Sequence, residues 1–170
     1  NLYIQAIEKF QQANKLDPND YKALSNWGGS LVRLAETKTG TEVEGFYQQA
    51  SEKYQQLNKK APNDYMTLEA EGYTLLMLAK YKKEKEAKEI YQEAYKKLEK
   101  VYKHNKLCYN LACCAAQLER TDDALKYLRI SIENNEITVE KLLEDDEWTS
   151  YKNNDEFKTM TKKRNLDSND

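Results

Sequence analysis

The stretch Asp17-Pro18-Asn19-Asp20-Tyr21 decides the fold, because the chain repeats it 44 residues later as Ala61-Pro62-Asn63-Asp64-Tyr65. The same offset continues upstream of the two copies, where it relates Ala6 to Ala50 and Ala94, and Phe10 to Tyr54 and Leu98. Self-similarity at a fixed period of about 20–50 residues indicates stacked supersecondary units. Such a stack forms an extended groove rather than a deep pocket, so the sequence favours binding over catalysis.

The composition of the 170-residue chain favours helices. Charged residues make up 33% of it and hydrophobic residues 39%, whereas it contains only 5 Gly and 2 Pro. Abundant Ala, Leu, Lys, Glu and Gln promote helix formation, and the length is sufficient for one domain with a core. The apolar runs are too short to span a bilayer. We therefore expect an all-α fold without membrane insertion.

The formal net charge of −2 argues against a nucleic-acid-binding protein, which normally carries a basic face. The charge is nevertheless uneven along the chain. Residues 79–106 contain ten Lys and five Glu, whereas residues 119–156 contain twelve acidic and five basic residues. We interpret this pattern as a solvated helix face followed by an acidic C-terminal cap, and a surface that steers a partner is the alternative.

The residues most often used in catalysis and metal binding are sparse. The three cysteines, Cys108, Cys113 and Cys114, are too few and too close together for a disulfide framework, and His104 is the only histidine. We expect buried thiols and a cytoplasmic or another reducing, soluble compartment. A Gly-rich phosphate loop and a nucleophile elbow are both absent from the sequence. The sequence thus predicts a non-enzyme without catalytic, cofactor-binding or metal-binding residues.

The spacing of apolar residues predicts helices separated by short turns. Helical stripes cover residues 2–16 and 21–36, and the residue before each Pro is pushed out of the α region, which ends the preceding helix. Asn19 and Asp20 can cap the next helix. The charged segment 82–86 contains no helix breaker, so it is expected to remain helical.

A set of positions shares the spacing of a known repeat motif. These positions are Leu24, Trp27, Gly28 and Leu31, followed by Ala50, Tyr54 and Pro62; Leu68, Gly72 and Leu75, followed by Ala94 and Leu98; and Cys108 to Ala115, followed by Ala124 and Leu128. Over about residues 1–136 the chain resembles the tetratricopeptide repeat (TPR) family, whose helix–turn–helix unit has about 34 residues. Here the first two complete repeats are lengthened to about 44 residues.

The resemblance implies a right-handed superhelical solenoid of antiparallel helix pairs, followed by C-terminal capping helices. Its segments would be the second helix of a truncated repeat (1–20), two long repeats (21–64 and 65–104), a third repeat (105–136), capping helices (137–162) and a frayed tail (163–170). Longer helices or a longer internal turn must take up about ten extra residues in each long repeat. Gly28 and Gly72 are expected where paired helices touch.

Members of the family usually bind partners on a concave face built from the first helix of each repeat. By position, the resemblance implies these partner-binding residues: Lys22, Asn26, Arg33, Met66, Tyr73, Met77, Lys106, Tyr109 and Asn110. Lys22 and Asn26 also match the first pair of the clamp with which chaperone-binding members hold a C-terminal carboxylate. Ala70 and Asn110 stand where that clamp has a second Asn and an Arg, so the clamp is incomplete.

These features predict an interaction module or adaptor that binds a peptide segment or a partner protein in its concave groove. One alternative is a self-assembling scaffold segment, because the apolar stripe of Ile4, Ile7 and Phe10 on the N-terminal helix needs a cover. Another alternative is a non-catalytic accessory domain of a larger protein. The expected ligand is a protein or peptide, not a nucleic acid.

Overall fold

The computed structural model describes residues 2–162, and this part of the chain is helical and contains no β-strand, which confirms the predicted all-α class. The helices of the repeat region are α1 (Leu2–Leu16), α2 (Tyr21–Glu36), α3 (Glu42–Lys60), α4 (Tyr65–Ala79), α5 (Glu84–Asn105), α6 (Tyr109–Gln117) and α7 (Thr121–Glu133). They are followed by α8 (Val139–Glu144), a 3₁₀ helix (Asp146–Tyr151) and α9 (Asp155–Lys162). The predicted frayed tail, 163–170, lies outside the described residues.

The two Pro-Asn-Asp turns separate helices, but their aspartates accept different hydrogen bonds. In the first turn, Asp20 Oδ1 accepts a hydrogen bond from Ala23 N at 3.0 Å and so caps α2. In the second turn, Asp64 accepts hydrogen bonds from the hydroxyl groups of Tyr21 and Thr67. The second copy of the motif therefore connects the start of α2 to the start of α4.

The helices pack mainly in the order of the chain. Each helix from α1 to α6 packs against the next one, and α2 also contacts α4, as α4 contacts α6. The 3₁₀ helix packs on α6 and α9 packs on α7. The core runs along these contacts and contains, among others, Leu24, Leu31, Leu57, Leu76, Leu111 and Leu128, all at most 1% exposed.

Gly28 and Gly72 allow two pairs of helices to pack closely, as the sequence predicted. A Cβ atom at Gly28 would lie 2.9 Å from Tyr54 Cζ, and one at Gly72 would lie 2.6 Å from Leu98 Cγ. Both distances are shorter than a carbon–carbon contact allows. Gly28 and Gly72 therefore lie where α2 meets α3 and where α4 meets α5, and the prediction is confirmed.

Segments 21–64 and 65–104 are longer than segment 105–136 mainly because their helices are longer. Helices α3 and α5 have 19 and 22 residues, whereas α7 has 13. The expectation that segment 82–86 remains helical is wrong, since α4 ends at Ala79 and α5 begins at Glu84. The chain must reverse there for α5 to pack on α4, and Glu84 and Glu86 then favour the new helix start.

The C-terminal helices close the core after α7, in the range predicted for capping helices. Trp148 is fully buried, and its ring centroid lies 5.3 Å from that of Tyr151 and 5.9 Å from that of Phe157. This aromatic cluster comes from the 3₁₀ helix and α9. The side chains of Trp148, Tyr151 and Phe157 are thereby removed from water.

Candidate functional site

The candidate site is the row of side chains that α2, α4 and α6 leave accessible, which we call the first-helix face. Helix α4 lies between the other two and contacts both of them. The partner-binding residues predicted on these helices are Lys22, Asn26, Arg33, Met66, Tyr73, Met77, Tyr109 and Asn110. Each of them is exposed or half-buried.

On α2, two of the predicted residues are free and one is paired. Lys22 and Asn26 are exposed, and no described side chain or backbone group forms a hydrogen bond or an ion pair with either. Arg33 pairs with Glu36 at 3.0 Å, and the Tyr73 hydroxyl donates a hydrogen bond of 2.8 Å to the other Glu36 oxygen. Glu36, which sequence reasoning missed, thus joins two predicted residues of α2 and α4.

Helix α4 contributes apolar and aromatic surface. Met66 is 81% exposed, whereas Met77 is half-buried and packs against the core. Burial, followed by the hydrogen bond to Glu36, raises the pKa of Tyr73 well above its usual value. Tyr73 therefore remains a neutral donor, and Met66 is available for apolar contact with a ligand.

Helix α6 begins one turn later than its counterparts. Gly28 and Gly72 are each the eighth residue of their helix, whereas Ala112, which matches them in the repeat pattern, is the fourth residue of α6. The side chain of Cys108 does not cap this helix. Instead, Glu136 Oε2 accepts hydrogen bonds from Cys108 N at 2.8 Å and from Tyr109 N at 2.9 Å. A carboxylate from beyond α7 thus satisfies backbone donors at the start of α6.

A cleft of about 290 Å³ lies beside this late start of α6, and we call it the α4–α6 cleft. The buried residues Leu98 and Val101 of α5 form its floor, and Leu107, which is 41% exposed, contributes accessible apolar surface. Its polar lining includes Glu69 of α4, Asn110 of α6 and Glu136. The cleft therefore combines an apolar region with two carboxyl groups and an amide.

The two carboxyl groups of the cleft affect each other. Burial, and to a smaller extent the charge of Glu136, raises the pKa of Glu69 above its usual value. Among residues 2–162, no Lys, Arg or His forms an ion pair with Glu69 or Glu136. The cleft thus carries negative charge that no described basic side chain balances at close range.

Lys106 lies outside the first-helix face, and its predicted position is therefore corrected. It precedes α6 and forms the left-handed C-cap of α5, with φ at 65°. Its Nζ atom lies 5.2 Å from the centroid of the Tyr102 ring, which packs edge-on against Tyr127 of α7. The late start of α6 leaves Lys106 on the side of α5 and α7.

Tyr109 belongs to α6, and its hydroxyl group forms hydrogen bonds with other residues of the protein. The hydroxyl donates a hydrogen bond of 2.6 Å to Asp145 and accepts one of 3.3 Å from Trp148 Nε1. Burial raises the pKa of Tyr109, with further contributions from Cys113 and Asp145. Tyr109 lines the α4–α6 cleft, but its polar group is not available to a ligand.

Other polar groups near this face are paired with each other. The fully buried Glu71 pairs with Lys97 at 3.0 Å and accepts a hydrogen bond from Asn58, and Glu147 pairs with Lys80. The described residues contain no group of three His, Cys, Asp or Glu side chains arranged to hold a metal ion. These pairs connect different helices.

The three cysteines are buried, as the sequence predicted. Burial raises the pKa of the Cys108 thiol to about 11 and that of Cys114 further. The Cys108 Sγ atom also lies 3.3 Å from both Tyr127 O and Ser131 Oγ. The thiols therefore stay protonated at neutral pH and behave as core groups rather than as nucleophiles.

Comparison with known proteins does not assign the chain to a family, because no family model and no curated protein matches it. The case for a function thus depends on the geometry of the first-helix face. Across residues 2–162, none of the helices combines the length and the apolar content that crossing a membrane requires.

Proposed function

We propose that the protein is an interaction module that binds an extended segment of a partner protein along the first-helix face. In this proposal the helix pairs form a right-handed TPR-like solenoid with two lengthened repeats, and the C-terminal helices cap it. The observation that carries the proposal is the row of accessible side chains on α2, α4 and α6, which contact one another in that order.

The chemistry of the row suits an extended peptide. Asn26 and Asn110 can each donate to and accept from a peptide backbone, and Met66 offers adaptable apolar contact. Packed helices lie about 8–10 Å apart, and an extended chain advances about 3.3 Å per residue. Each helix would therefore meet about three peptide residues, and the three helices would meet about nine. Such binding needs neither a cofactor nor a metal ion.

A peptide-display experiment tests the proposal directly. Random twelve-residue peptides would be selected on the full 170-residue chain, and the dissociation constant of the best peptide would be measured by isothermal calorimetry. We expect the combined change Tyr73→Ala and Asn110→Ala to weaken binding by about 1–3 kcal/mol, because both residues lie in the row. The melting temperature of each variant would show whether the fold is retained.

The matched control is Gln56→Ala, because Gln56 is exposed on α3 and lies outside the row. It should leave the affinity unchanged. If Gln56→Ala weakens the peptide as much as the double variant does, the site lies elsewhere. If the folded double variant binds as tightly as the natural sequence, the first-helix face is not the binding surface.

A second candidate function is self-assembly through α1. Leu2 is 82% exposed, Ile4 43% and Leu16 89%, and these residues add apolar surface to a helix that packs mainly on α2. Exposed apolar surface of this kind often marks a contact. Sedimentation velocity at rising concentration would test it, since self-assembly should increase the sedimentation coefficient and Ile4→Lys should abolish the increase. A concentration-independent monomer would exclude this candidate.

A further inference from the structure

The α4–α6 cleft contains a partly buried carboxylate that the fold itself does not use. Glu69 is half-buried, and no described residue donates a hydrogen bond to it or pairs with it. Its neighbour Glu136 is different, because its Oε2 atom holds the backbone N–H groups of Cys108 and Tyr109. Glu69 therefore has a desolvated carboxyl group without a compensating partner, which is unusual for a structural residue.

Two buried glutamates, Glu71 and Glu147, differ from Glu69 because each forms an ion pair within the protein. Glu71, two residues from Glu69 on the same helix, pairs with Lys97. Glu147 pairs with Lys80 and accepts a hydrogen bond from Gln117. Each of these glutamates is balanced by a lysine of the same chain. Glu69 lines the cleft together with Glu136, and no described residue supplies a cation that balances it.

The lining of the cleft restricts the kind of cation. Leu107, which is 41% exposed, offers apolar surface in the cleft, and Asn110 adds an amide. A small hydrated ion would leave the apolar surface uncovered. Lysine and arginine side chains combine an aliphatic stem with a charged end, so they can cover apolar surface and reach a carboxylate at the same time. A cleft of about 290 Å³ has room for one such side chain.

We propose that the α4–α6 cleft receives a Lys or Arg side chain of the bound partner segment, with its stem on Leu107 and its charged end at Glu69. This inference rests on the proposed function, since the segment lies along the first-helix face, to which Glu69 and Asn110 belong. Glu136 adds negative potential from the opposite side without leaving its place at the start of α6. The partner is thereby specified as a segment with a basic residue at the position that passes between α4 and α6.

The test is a titration of the full chain with two small probes, followed by two-dimensional NMR of the backbone amides. The probes are N-acetyl-lysine methylamide and N-acetyl-norleucine methylamide, which share the aliphatic stem and differ in the ammonium group. We expect the lysine probe to shift the amide signals of Glu69, Asn110 and Leu111 at millimolar concentration. The norleucine probe should bind at least about fivefold more weakly, which corresponds to one partly exposed ion pair.

Two variants assign the effect to Glu69. Glu69→Gln keeps the shape of the side chain and should weaken the lysine probe at least about fivefold. Glu52→Gln changes an exposed glutamate of α3 that has no ion pair among the described residues, and it should leave the affinity unchanged. Equal binding of the two probes, or unchanged binding of the lysine probe to Glu69→Gln, would overturn the proposal.

The outcomes separate this inference from the proposed function. Peptides that bind the first-helix face and show no preference for Lys or Arg would leave the proposed function standing and overturn the role of Glu69. A lysine probe that binds at Glu69 while no selected peptide binds the face would support the cation site and contradict the peptide-binding function.

Discussion

At the residue scale, Gly72 shows how closely α4 and α5 approach. A methyl group at this position would lie 2.6 Å from Leu98 Cγ, in a region where Leu98 is almost fully buried and has little freedom to move. We expect Gly72→Ala to reduce the free energy of unfolding by about 1–3 kcal/mol, because the helices must separate or Leu98 must leave its rotamer. Urea denaturation followed by circular dichroism would measure the change.

Gly45 provides the matched control for this prediction. It lies in the first part of α3, and a Cβ atom there would meet nothing within 4 Å. Gly45→Ala should therefore raise the stability by up to about 1 kcal/mol, because alanine restricts the unfolded chain and favours a helix. A loss of stability at Gly45, or none at Gly72, would contradict the helix packing described above.

Glu69 leads to a prediction about pH. The pKa of Glu69 is raised in the folded protein. Its favourable contribution to the free energy of unfolding is therefore present at low pH and is lost as the pH rises through the folded-state pKa. The ionised side chain therefore destabilises the protein at pH 7. We expect Glu69→Gln to raise the melting temperature at pH 7 and to have a progressively smaller effect as the pH is lowered to about 4. Calorimetry at several pH values would measure both effects.

Asp64 should behave in the opposite way. Hydrogen bonds from Thr67 and Tyr21 lower its pKa, so its stabilising contribution is present at neutral pH and is lost as the pH falls through the folded-state pKa. Asp64→Asn should lower the melting temperature at pH 7, with a difference that shrinks in acid. A difference that grows as the pH falls would show that these hydrogen bonds do not favour the charged form.

The sequence predicted the close-packing glycines but not the partners of the acidic residues. Gly28 and Gly72 could be found because a repeat pattern fixes the place of small residues within a helix pair. The proximity of Glu69 to Glu136 could not be found, because it joins positions that are far apart in the chain and depends on where α6 begins. Local patterns carry no information on such a pairing.

At the element scale, the start of α6 explains the main difference between the expected and observed positions of site residues. Alignment on the small residues placed Lys106 in the first turn of this helix, as Lys22 is in α2. The chain instead leaves α5 through a left-handed residue, and the helix starts at Tyr109. The repeat motif identified the middle of the helix correctly, but nothing in it determines how many turns precede that point.

Tyr109 provides an element-scale prediction, because its hydroxyl joins α6 to the C-terminal helices through Asp145 and Trp148. Tyr109→Phe removes this hydroxyl and leaves Asp145 without that donor, so we expect a loss of about 0.5–1.5 kcal/mol. The fluorescence of Trp148 should shift as its contact with the hydroxyl is lost. A parallel Trp27→Phe background would isolate the signal of Trp148, since these are the two tryptophans of the chain.

Tyr65→Phe is the control for this change. The Tyr65 ring stacks on His104 at a centroid distance of 3.8 Å, and its hydroxyl forms no hydrogen bond with a described residue. Phenylalanine can keep the stack, so the stability should not change. If both variants lose the same stability, the effect belongs to the ring environment and not to the contact with Asp145.

At the scale of the whole molecule, sequential packing predicts uneven stability along the chain. Helix α4 packs between α3 and α5 and also touches α2 and α6, whereas α8 and α9 have few neighbours. In a structure held together mainly by contacts between successive elements, the ends can open without the middle. Hydrogen exchange followed by mass spectrometry should therefore show the slowest exchange in α4 and α5, and faster exchange in α8 and α9. Uniform protection from α1 to α9 would contradict this expectation.

The all-α class and the seven helices between Leu2 and Glu133 could be predicted because breakers and apolar stripes alternate along the sequence. The arrangement of α8, the 3₁₀ helix and α9 could not, because these elements are short and are held by contacts of Trp148 and Tyr109 between residues far apart in the sequence. The use of the first-helix face for binding stays a prediction from the repeat pattern, and the pattern does not encode the late start of α6 beside the cleft.

The hydrogen bonds that Glu136 accepts at the start of α6 have a consequence for folding during synthesis. A growing chain that has emerged only as far as residue 133 contains all of α6 and α7 but lacks the carboxylate that holds the N–H groups of Cys108 and Tyr109. The first turn of α6 should therefore fray on the ribosome until residue 136 has left the exit tunnel. Nascent chains can be stalled with residue 136 either still inside the exit tunnel or just outside it. Cys108 should be alkylated faster in the chains in which residue 136 is still inside.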